Sequence, residues 1–431
     1  MSSTSDREDL LAMVRAWCEE RLRVSSVQEA EELALALSRQ VAEVIVTAGV
    51  QQTAGRASYQ GGSVPCSCGR RAAFHGYRSR WVSTRAGDVS VERAYYYCRR
   101  CHCGQAPWDR RQGLTQRQWT PAVKSLVVNF CARLPYAEAV ELLELSTGLR
   151  VEEFSAEQLV AEVGQRLRTR EAEEQARVLA GEAPAGSEPA PPRLYVGYDG
   201  TSGHIEGAWH EVKTAVIYAG VANAEGHDEA VGQHYVAAQE PAERFGERAY
   251  AAAAQRGVEQ AAEVVVLGDG AEWIWNLAAQ HHPQATEIVD YWHACEHIWE
   301  LRKALYPPVS EAGDRWAHEH FRRLKDEGPG PLRRALARCQ PASAEAQEAV
   351  RTERGYFDRH RRRMQYPHFR ARGLMIGSGP VEAACKVVVG HRLKRAGMRW
   401  SQAGADAILA ARCTVLNHDQ ERLDLACKLA A

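Results

Sequence analysis

From residue 6 to residue 50, apolar side chains return every three or four positions. Leu10, Leu11, Val14 and Trp17 are followed by Leu33, Leu37, Val41, Val44 and Ile45, the spacing of an amphipathic helix. The pattern predicts a helical segment over residues 1–60 that packs into the core of its own chain, with self-association as the other use of such a face. Between 61 and 115 the period changes. Gly61-Gly62 opens a stretch of short β-type runs, Trp81-Val82-Ser83-Thr84 and Val89 to Tyr97, with Ala86-Gly87-Asp88 as the turn between them. Helical spacing returns over 116–180. Pro121 suits a first helical position, and one helix runs from it to about Cys131. A second covers Pro135 to Leu145, Ser146-Thr147-Gly148-Leu149 is a turn, and a third begins near Val151 and ends near Leu167. This series is compatible with a helix-turn-helix DNA-binding region, as it is with any three-helix bundle.

Residues 181–193 carry four prolines among Ala, Gly and Ser, a composition that cannot build a core and reads as an extended linker. A mixed pattern follows over 194–309. Leu194–Tyr198, Ala208–Tyr218 and Glu229–Ala237 read as strands, 241–256 as a helix, Glu263–Leu267 as a strand, 271–280 as a helix, Thr286–Tyr291 as a strand and Ala294–Leu305 as a helix. The order βββαβαβα defines an α/β mixed sheet, with an antiparallel meander followed by parallel additions. Residues 310–372 are polar, helical and free of strand signals, as an all-helical insertion would be. The last segment, 373–431, is mainly helical.

A chain of 431 residues exceeds one ordinary core, so two to four domains are expected. No apolar run reaches the roughly 18 residues of a membrane span, and the polar start lacks a signal-peptide core. A cytoplasmic protein with no membrane partner is the expectation. Twelve cysteines without a secretory signal do not suggest a disulfide framework. Five of them fall between Cys66 and Cys103, and the other seven read as buried small apolar residues. Net charge is −1, but its distribution is uneven. Residues 56–118 hold 12 Arg against 3 acids, and residues 350–400 hold 13 Lys and Arg against 3 acids. Two such blocks point to surfaces that meet a polyanion. Arg outnumbers Lys by 47 to 7, a compositional bias that discounts part of the arginine signal.

Asp199 and Asp269 each close an apolar β-run and each precede a glycine. Carboxyl ends of strands are where open α/β sheets present ligand groups, and an adjacent Gly lets a bulky phosphate approach. Taken singly, each Asp also reads as a turn residue or helix cap. Glu382 follows Gly377-Ser378-Gly379-Pro380 at a helix start, with Lys386 four residues on. As an exposed pair these two would contribute only about 0.2–0.5 kcal/mol. As a metal ligand and a phosphate contact they would complete an Asp, Asp, Glu set. Such a set is what two Mg²⁺ ions roughly 3.5–4 Å apart require for phosphodiester chemistry. Arg392, Lys394 and Arg395 continue this basic stretch, and Arg361, Arg362 and Arg363 lie in a second one, interleaved with Tyr356, Phe357, Tyr366 and Phe369. That mixture suits phosphate contacts plus stacking on unpaired bases. Cys66-x-Cys68 and Cys98-x-x-Cys101 bracket the predicted hairpin like a zinc ribbon. The first pair is one residue shorter than usual, which leaves Cys103 as an alternate ligand.

The words YVGYDGT, WHEVKTAVIY, VVVLGDGAEWIW, IVDYWHACEHIW, IGSGPVEAACK and RLKRAGMRWS cover most of residues 194–417. As a set they resemble the DDE transposases of bacterial insertion sequences, of the ISKra-four type. YYYCRRCHCGQAPWD and STGLRV extend the resemblance upstream. The resemblance implies an RNase H-like catalytic domain with Asp199, Asp269 and Glu382 as its acids, binding two Mg²⁺ or Mn²⁺ ions. Water or a 3′-OH would then attack a phosphodiester at the element's end. It also implies double-stranded DNA as partner and a homodimer or larger assembly on it. Asp290-Tyr-Trp-His293 resembles the D-x-x-H word of Mutator-type relatives, which places Asp290 and His293 near the DNA; the other reading is a capping Asp with a buried His. Two further functions stay open at this point. One is a nuclease or resolvase that cuts without joining. The other is a zinc-containing DNA-binding regulator that does not catalyse. A glycosidase acid pair fits the basic blocks poorly.

Overall fold

The computed structural model describes residues 4–114, 117–182 and 191–428, with side chains from residue 8 onward. Most of the proline-rich linker, 183–190, lies outside the described residues. The chain forms two units, one ending at Lys124 (with Lys428 added) and one from Ser125 to Cys427.

In the first unit, α1 (Thr4–Arg21) and α2 (Val27–Thr53) come first. α2 starts at Ser26, whose hydroxyl accepts the Glu29 N–H, an N-cap. The expectation that these helices build a core is corrected here. Only Val46 and Val50 of α2 pack, half-buried, against a small cluster of Ala54, Val82, Val89, Val91, Trp108 and Leu114. No residue of α2 is fully buried, and Leu10, Leu11, Val14, Trp17, Leu35, Val41, Val44 and Ile45 all face out. The spacing was helical, but periodicity alone does not say whether a partner surface exists. By length and composition α2 would also suffice to cross a membrane. A few polar residues punctuate its Ala- and Val-rich window, so it contains no continuous apolar run of that length.

The sheet of this unit runs β1 (Ser63–Pro65), β2 (Arg71–Thr84), β3 (Gly87–Cys98), β4 (Cys103–Gln105), in that spatial order and antiparallel throughout. Thr84 pairs with Gly87, so the hairpin loop is Arg85-Ala86, one residue earlier than expected. A short helix α3 (Pro107–Arg111) follows. Its Asp109 receives both Arg80, at 2.7 Å, and Arg93, at 2.9 Å, which ties α3 to the hairpin. Two arginines of the first basic block are thus spent on structure.

Helix α4 (Pro121–Arg133) leads into the second unit, followed by α5 (Tyr136–Thr147) and α6 (Glu153–Leu179). Gly148 caps α5 at φ 76°, the left-handed position that favours glycine. The mixed sheet then appears as β5 (Arg193–Ile205), β6 (Ala208–Ala222), β7 (Asp228–Ala238), α7 (Ala242–Gln255), β8 (Glu263–Gly268), α8 (Glu272–His281), β9 (Thr286–Val289) and α9 (Tyr291–Leu305). Strand order is β7-β6-β5-β8-β9. The first three strands are antiparallel, and β8 and β9 add in parallel. β8 reads Glu-Val-Val-Val-Leu-Gly and is buried from Val265 onward, as expected of a central parallel strand covered on both faces.

The helices expected as an insertion are α10 (Glu311–Glu327), α11 (Gly330–Arg338), α12 (Ala344–Arg359) and α13 (Tyr366–Ala371). They do not stand apart from the sheet. Leu324, Leu336, Val350, Tyr356, Phe357, Tyr366 and Phe369 join the same buried cluster as Tyr198, Val266 and Ile288. The expectation that Tyr356, Phe357, Tyr366 and Phe369 present a stacking surface is therefore wrong. All four are at most 7% exposed, because their spacing puts them on the inner side of α12 and α13 while Arg359, Arg361 and Arg362 between them face out. The chain ends with α14 (Gly379–Ala384), a π-helical stretch over Cys385–Gly390, α15 (His391–Leu393), α16 (Gln402–Leu416) and α17 (Gln420–Lys428). α16 lies along α6, where Gly164 lets the Ala407 backbone approach.

Candidate active site and metal centre

Gly197 of β5 pairs with Leu267 of β8. Asp199 and Asp269 each lie two residues beyond that pair, Asp199 within β5 and Asp269 one residue past the end of β8, on chains about 4.8 Å apart where the strands pair. Asp199 does not end its strand, as the apolar run suggested; β5 continues to Ile205 against β6, with Asp199 opposite Thr214. Its Oδ1 accepts the Gly200 N–H at 2.7 Å. Burial raises its pKa above the ordinary carboxylate value. The Cys385 thiol and Gly200 N–H pull the other way, and the Asp269 carboxylate adds to the rise. Asp269 Oδ1 accepts the Ala271 N–H at 2.8 Å just before α8, so one of its oxygens has the turn role open to any Asp there. Tyr356 covers this turn, donating its hydroxyl to the Asp269 carbonyl at 3.0 Å. Gly270, at φ 110°, leaves no room there for a side chain: a Cβ would sit 2.7 Å from the Tyr356 ring.

Glu382 stands in the first turn of α14, exposed, with its N–H on the Ser378 carbonyl at 2.9 Å. α14 is wedged against β5: a Cβ on Gly197 would lie 2.1 Å from Val381 Cγ2. The helix beside Glu382 therefore touches the strand two residues before Asp199. Lys386 is also exposed, but the change to π-helical geometry at Cys385 interrupts the simple four-residue spacing with Glu382. Among the described residues, the three acids do not bring their oxygens within 4.8 Å of one another.

Asp290 is buried and links these parts. Its N–H donates to the Gly268 carbonyl at 2.8 Å, next to Asp269. One carboxylate oxygen caps α9 through the His293 N–H at 2.8 Å, and the other accepts the Ser378 N–H at the head of α14. The capping reading of Asp290 is the one its contacts support, and sequence alone did not reveal its hold on Ser378. His293 is not buried. Its ring lies 3.0 Å from Glu296, and its side chain keeps 36% exposure. Its pKa is raised: burial pushes it down, but Asp290, Glu296 and Asp269 outweigh that.

The expected DNA contacts divide. Arg361 and Arg362 are exposed. Lys394 is exposed and donates to the Thr201 hydroxyl; Arg395 is exposed and pairs with Glu138 at 3.0 Å. Arg363 is bound to Glu287 at 2.5 Å and lies over the Trp275 ring at 4.3 Å, so it holds the fold. Arg392 is a clear correction. It is 0% exposed, lies over Tyr136 at 4.5 Å and Trp400 at 4.8 Å, and donates to the Cys131 carbonyl at 3.0 Å. Two aromatic faces and a carbonyl make burial of a guanidinium tolerable, and none of these partners is a sequence neighbour.

In the first unit, Cys66, Cys68, Cys98 and Cys101 bring their sulfurs within 4.8 Å of one another. Cys66 and Cys101 are 3.5 Å apart, and Cys68 and Cys98 are 3.7 Å apart. Four bonds of about 2.3 Å to a tetrahedral Zn²⁺ require sulfurs about 3.8 Å apart, so the residues fit the ion. Backbone donors favour thiolates here. The Cys68 N–H lowers the Cys66 pKa, and the Cys101 N–H lowers Cys98 to about 6. Cys103 is exposed, and what it offers the cluster is its N–H, directed at Cys101. The cluster could hold a metal ion such as zinc with the first-choice set; the alternate ligand is not needed.

The molecule is thus a mixed α/β protein with two sheets, a four-cysteine cluster that could hold a metal ion, and an acid in β5 beside one just past the end of β8. Residues 68–423 match UPF0236, an uncharacterised protein family, and the chain belongs to that family. No curated protein matches it.

Proposed function

We propose that the protein is a DNA transposase that cleaves phosphodiesters at the ends of a mobile element and joins the freed 3′-OH to target DNA. The observation that carries this reading is the placement of Asp199 and Asp269. They take the same offset from the β5–β8 pairing, Asp199 within β5 and Asp269 just past the end of β8, and burial resists the negative charge of Asp199. A carboxylate kept at a cost is one suited to meeting a cation. The sheet order β7-β6-β5-β8-β9, the helices before α14 and the wedge of α14 at Gly197 support an RNase H-like domain with Glu382 as third acid.

Divalent ions, Mg²⁺ or Mn²⁺, held by Asp199, Asp269 and Glu382 would stabilise the entering and leaving oxygens of the displacement. The chain itself does the positioning. Asp290 fixes the heads of α9 and α14, Tyr356 closes over the Asp269 turn, and His293 offers a ring with a raised pKa beside the acids. Exposed Lys386, Lys394, Arg361 and Arg362 suit DNA phosphates. The cysteine module, with Zn²⁺ as a structural ion, and the helices α4–α6 would serve recognition of double-stranded ends. Holding two ends at once calls for a homodimer or larger assembly. Incubating the protein and Mg²⁺ with the DNA that flanks its gene tests this. Joined products carrying the 3′-OH donor are expected. Cleavage without any joined product would favour a nuclease or resolvase, and no cleavage would overturn the reading.

A further inference from the structure

Beyond Asp199, the far end of the β5–β6 hairpin opens into a groove of about 300 Å³. It is lined by His204, Trp209, Leu393 and the turn from Lys394 to Arg399. Trp209 is 65% exposed, and its ring meets His204 edge to face at 5.4 Å. His204 Nδ1 has no hydrogen-bond partner among the described residues. Lys394, Arg395 and Arg399 are exposed, and none of the lining residues is acidic. The two walls are joined: Glu206 N–H donates to the Trp400 carbonyl at 2.8 Å, and the Glu206 carboxylate accepts the Gln402 N–H at 2.8 Å. Leu393 packs beneath, near Gly203. His204 is five residues from Asp199 along β5, about 17 Å at roughly 3.3 Å per residue. Between them, Lys394 reaches Thr201, on the strand face of Asp199, whereas His204 and its cross-strand partner Trp209 lie on the other face.

An indole left open to solvent in a groove whose lining carries Lys394, Arg395 and Arg399 and no acid suits a ligand with a flat ring and negative charge on either side. An aromatic platform with flanking cations is how unpaired nucleotides are held. We propose that this groove is a subsite for an unpaired nucleotide of a DNA strand. Trp209 stacks on the base, and Lys394 and Arg399 contact the neighbouring phosphates. The subsite rests on the nucleic-acid reading above, but not on the acids performing chemistry.

Fluorescence anisotropy of a labelled twelve-nucleotide single strand on the full-length protein tests it, with a blunt duplex of the same sequence for comparison. Trp209→Ala should weaken single-strand binding about tenfold or more, and Trp209→Phe should stay within about threefold of wild type. Duplex binding should change less than about threefold in both. Lys394→Gln with Arg399→Gln should flatten the salt dependence of single-strand binding. A thermal melt of Trp209→Ala matching wild type establishes that the fold is intact. No single-strand binding by the wild-type protein, equal affinity of Trp209→Ala, or an equal loss on duplex and single strand would each overturn the proposal. If the wild type shows no Mg²⁺-dependent cleavage while Trp209 still governs single-strand binding, the transposase reading fails and the subsite stands.

Discussion

Gly197→Ala tests how α14 is brought to the acids. The added Cβ would lie 2.1 Å from Val381 Cγ2 and 3.3 Å from Val216 Cγ1. Apolar carbons rest at about 3.5–4.0 Å, so α14 must withdraw by about 1.5 Å or the strand must bend. Overpacking of this kind costs about 1–3 kcal/mol. Val381→Ala removes the methyl groups that are struck and by itself costs about 2 kcal/mol through lost burial and the cavity left behind. The two substitutions share one contact, so together they should cost at least about 1 kcal/mol less than the sum of their separate costs. Urea unfolding of wild type, both single variants and the double variant, followed through the transition of the second unit, measures this. Unchanged stability in Gly197→Ala, or strict additivity, would refute the wedge of α14 on β5 and with it the placement of Glu382.

Three further outcomes follow from the contacts. Asp199 has a raised native pKa, so its stabilising contribution is present below the unfolded pKa and is lost as pH rises through the native one. Asp199→Asn should accordingly raise the melting temperature near pH 7.5 without divalent ions. The gain should fade as pH drops below the unfolded value, and a pH-independent gain would contradict this. Cys98→Ser should reduce zinc from about one ion per chain to less than about 0.3, while Cys103→Ser keeps it, as metal analysis of purified protein would show. Arg392→Ala should destabilise the second unit by about 2–4 kcal/mol, since it removes two cation–π contacts and strands the Cys131 carbonyl. Lower DNA affinity at unchanged stability would show that Arg392 faces the ligand instead.

Strands and helices of the second unit were largely legible because each is long and strongly patterned. β8 is a β-branched run ending at Gly-Asp-Gly, and α9 begins at a capping Asp. The four cysteines were legible too, since bonding geometry limits which pairs across a hairpin can share an ion. What was not legible depends on partners far away in sequence. Arg392 sits in a run of basic residues that reads as a solvent-facing patch. Its burial is decided by Tyr136 and Trp400, and Tyr136 is more than 250 residues earlier. Tyr356 and Phe357 alternate with arginines as a stacking surface would, but helical periodicity turns the rings inward and the charges outward. The apolar stripe of α1 and α2 predicted a core that the described residues of this chain do not supply. The exposed Trp209 lies inside a β-type word, where nothing distinguishes an outward aromatic from an inward one.

Asp199 and Asp269 act as catalytic acids only if they drive phosphodiester cleavage. The most direct measurement is Mg²⁺-dependent nicking of DNA carrying the gene's own flanking sequences, comparing wild type with Asp269→Asn. The substitution keeps the side-chain shape and the oxygen that accepts the Ala271 N–H but removes the charge. Nicking by the wild type, lost by at least about a thousandfold in Asp269→Asn with DNA binding retained, is the predicted result. Equal nicking by both proteins would contradict it.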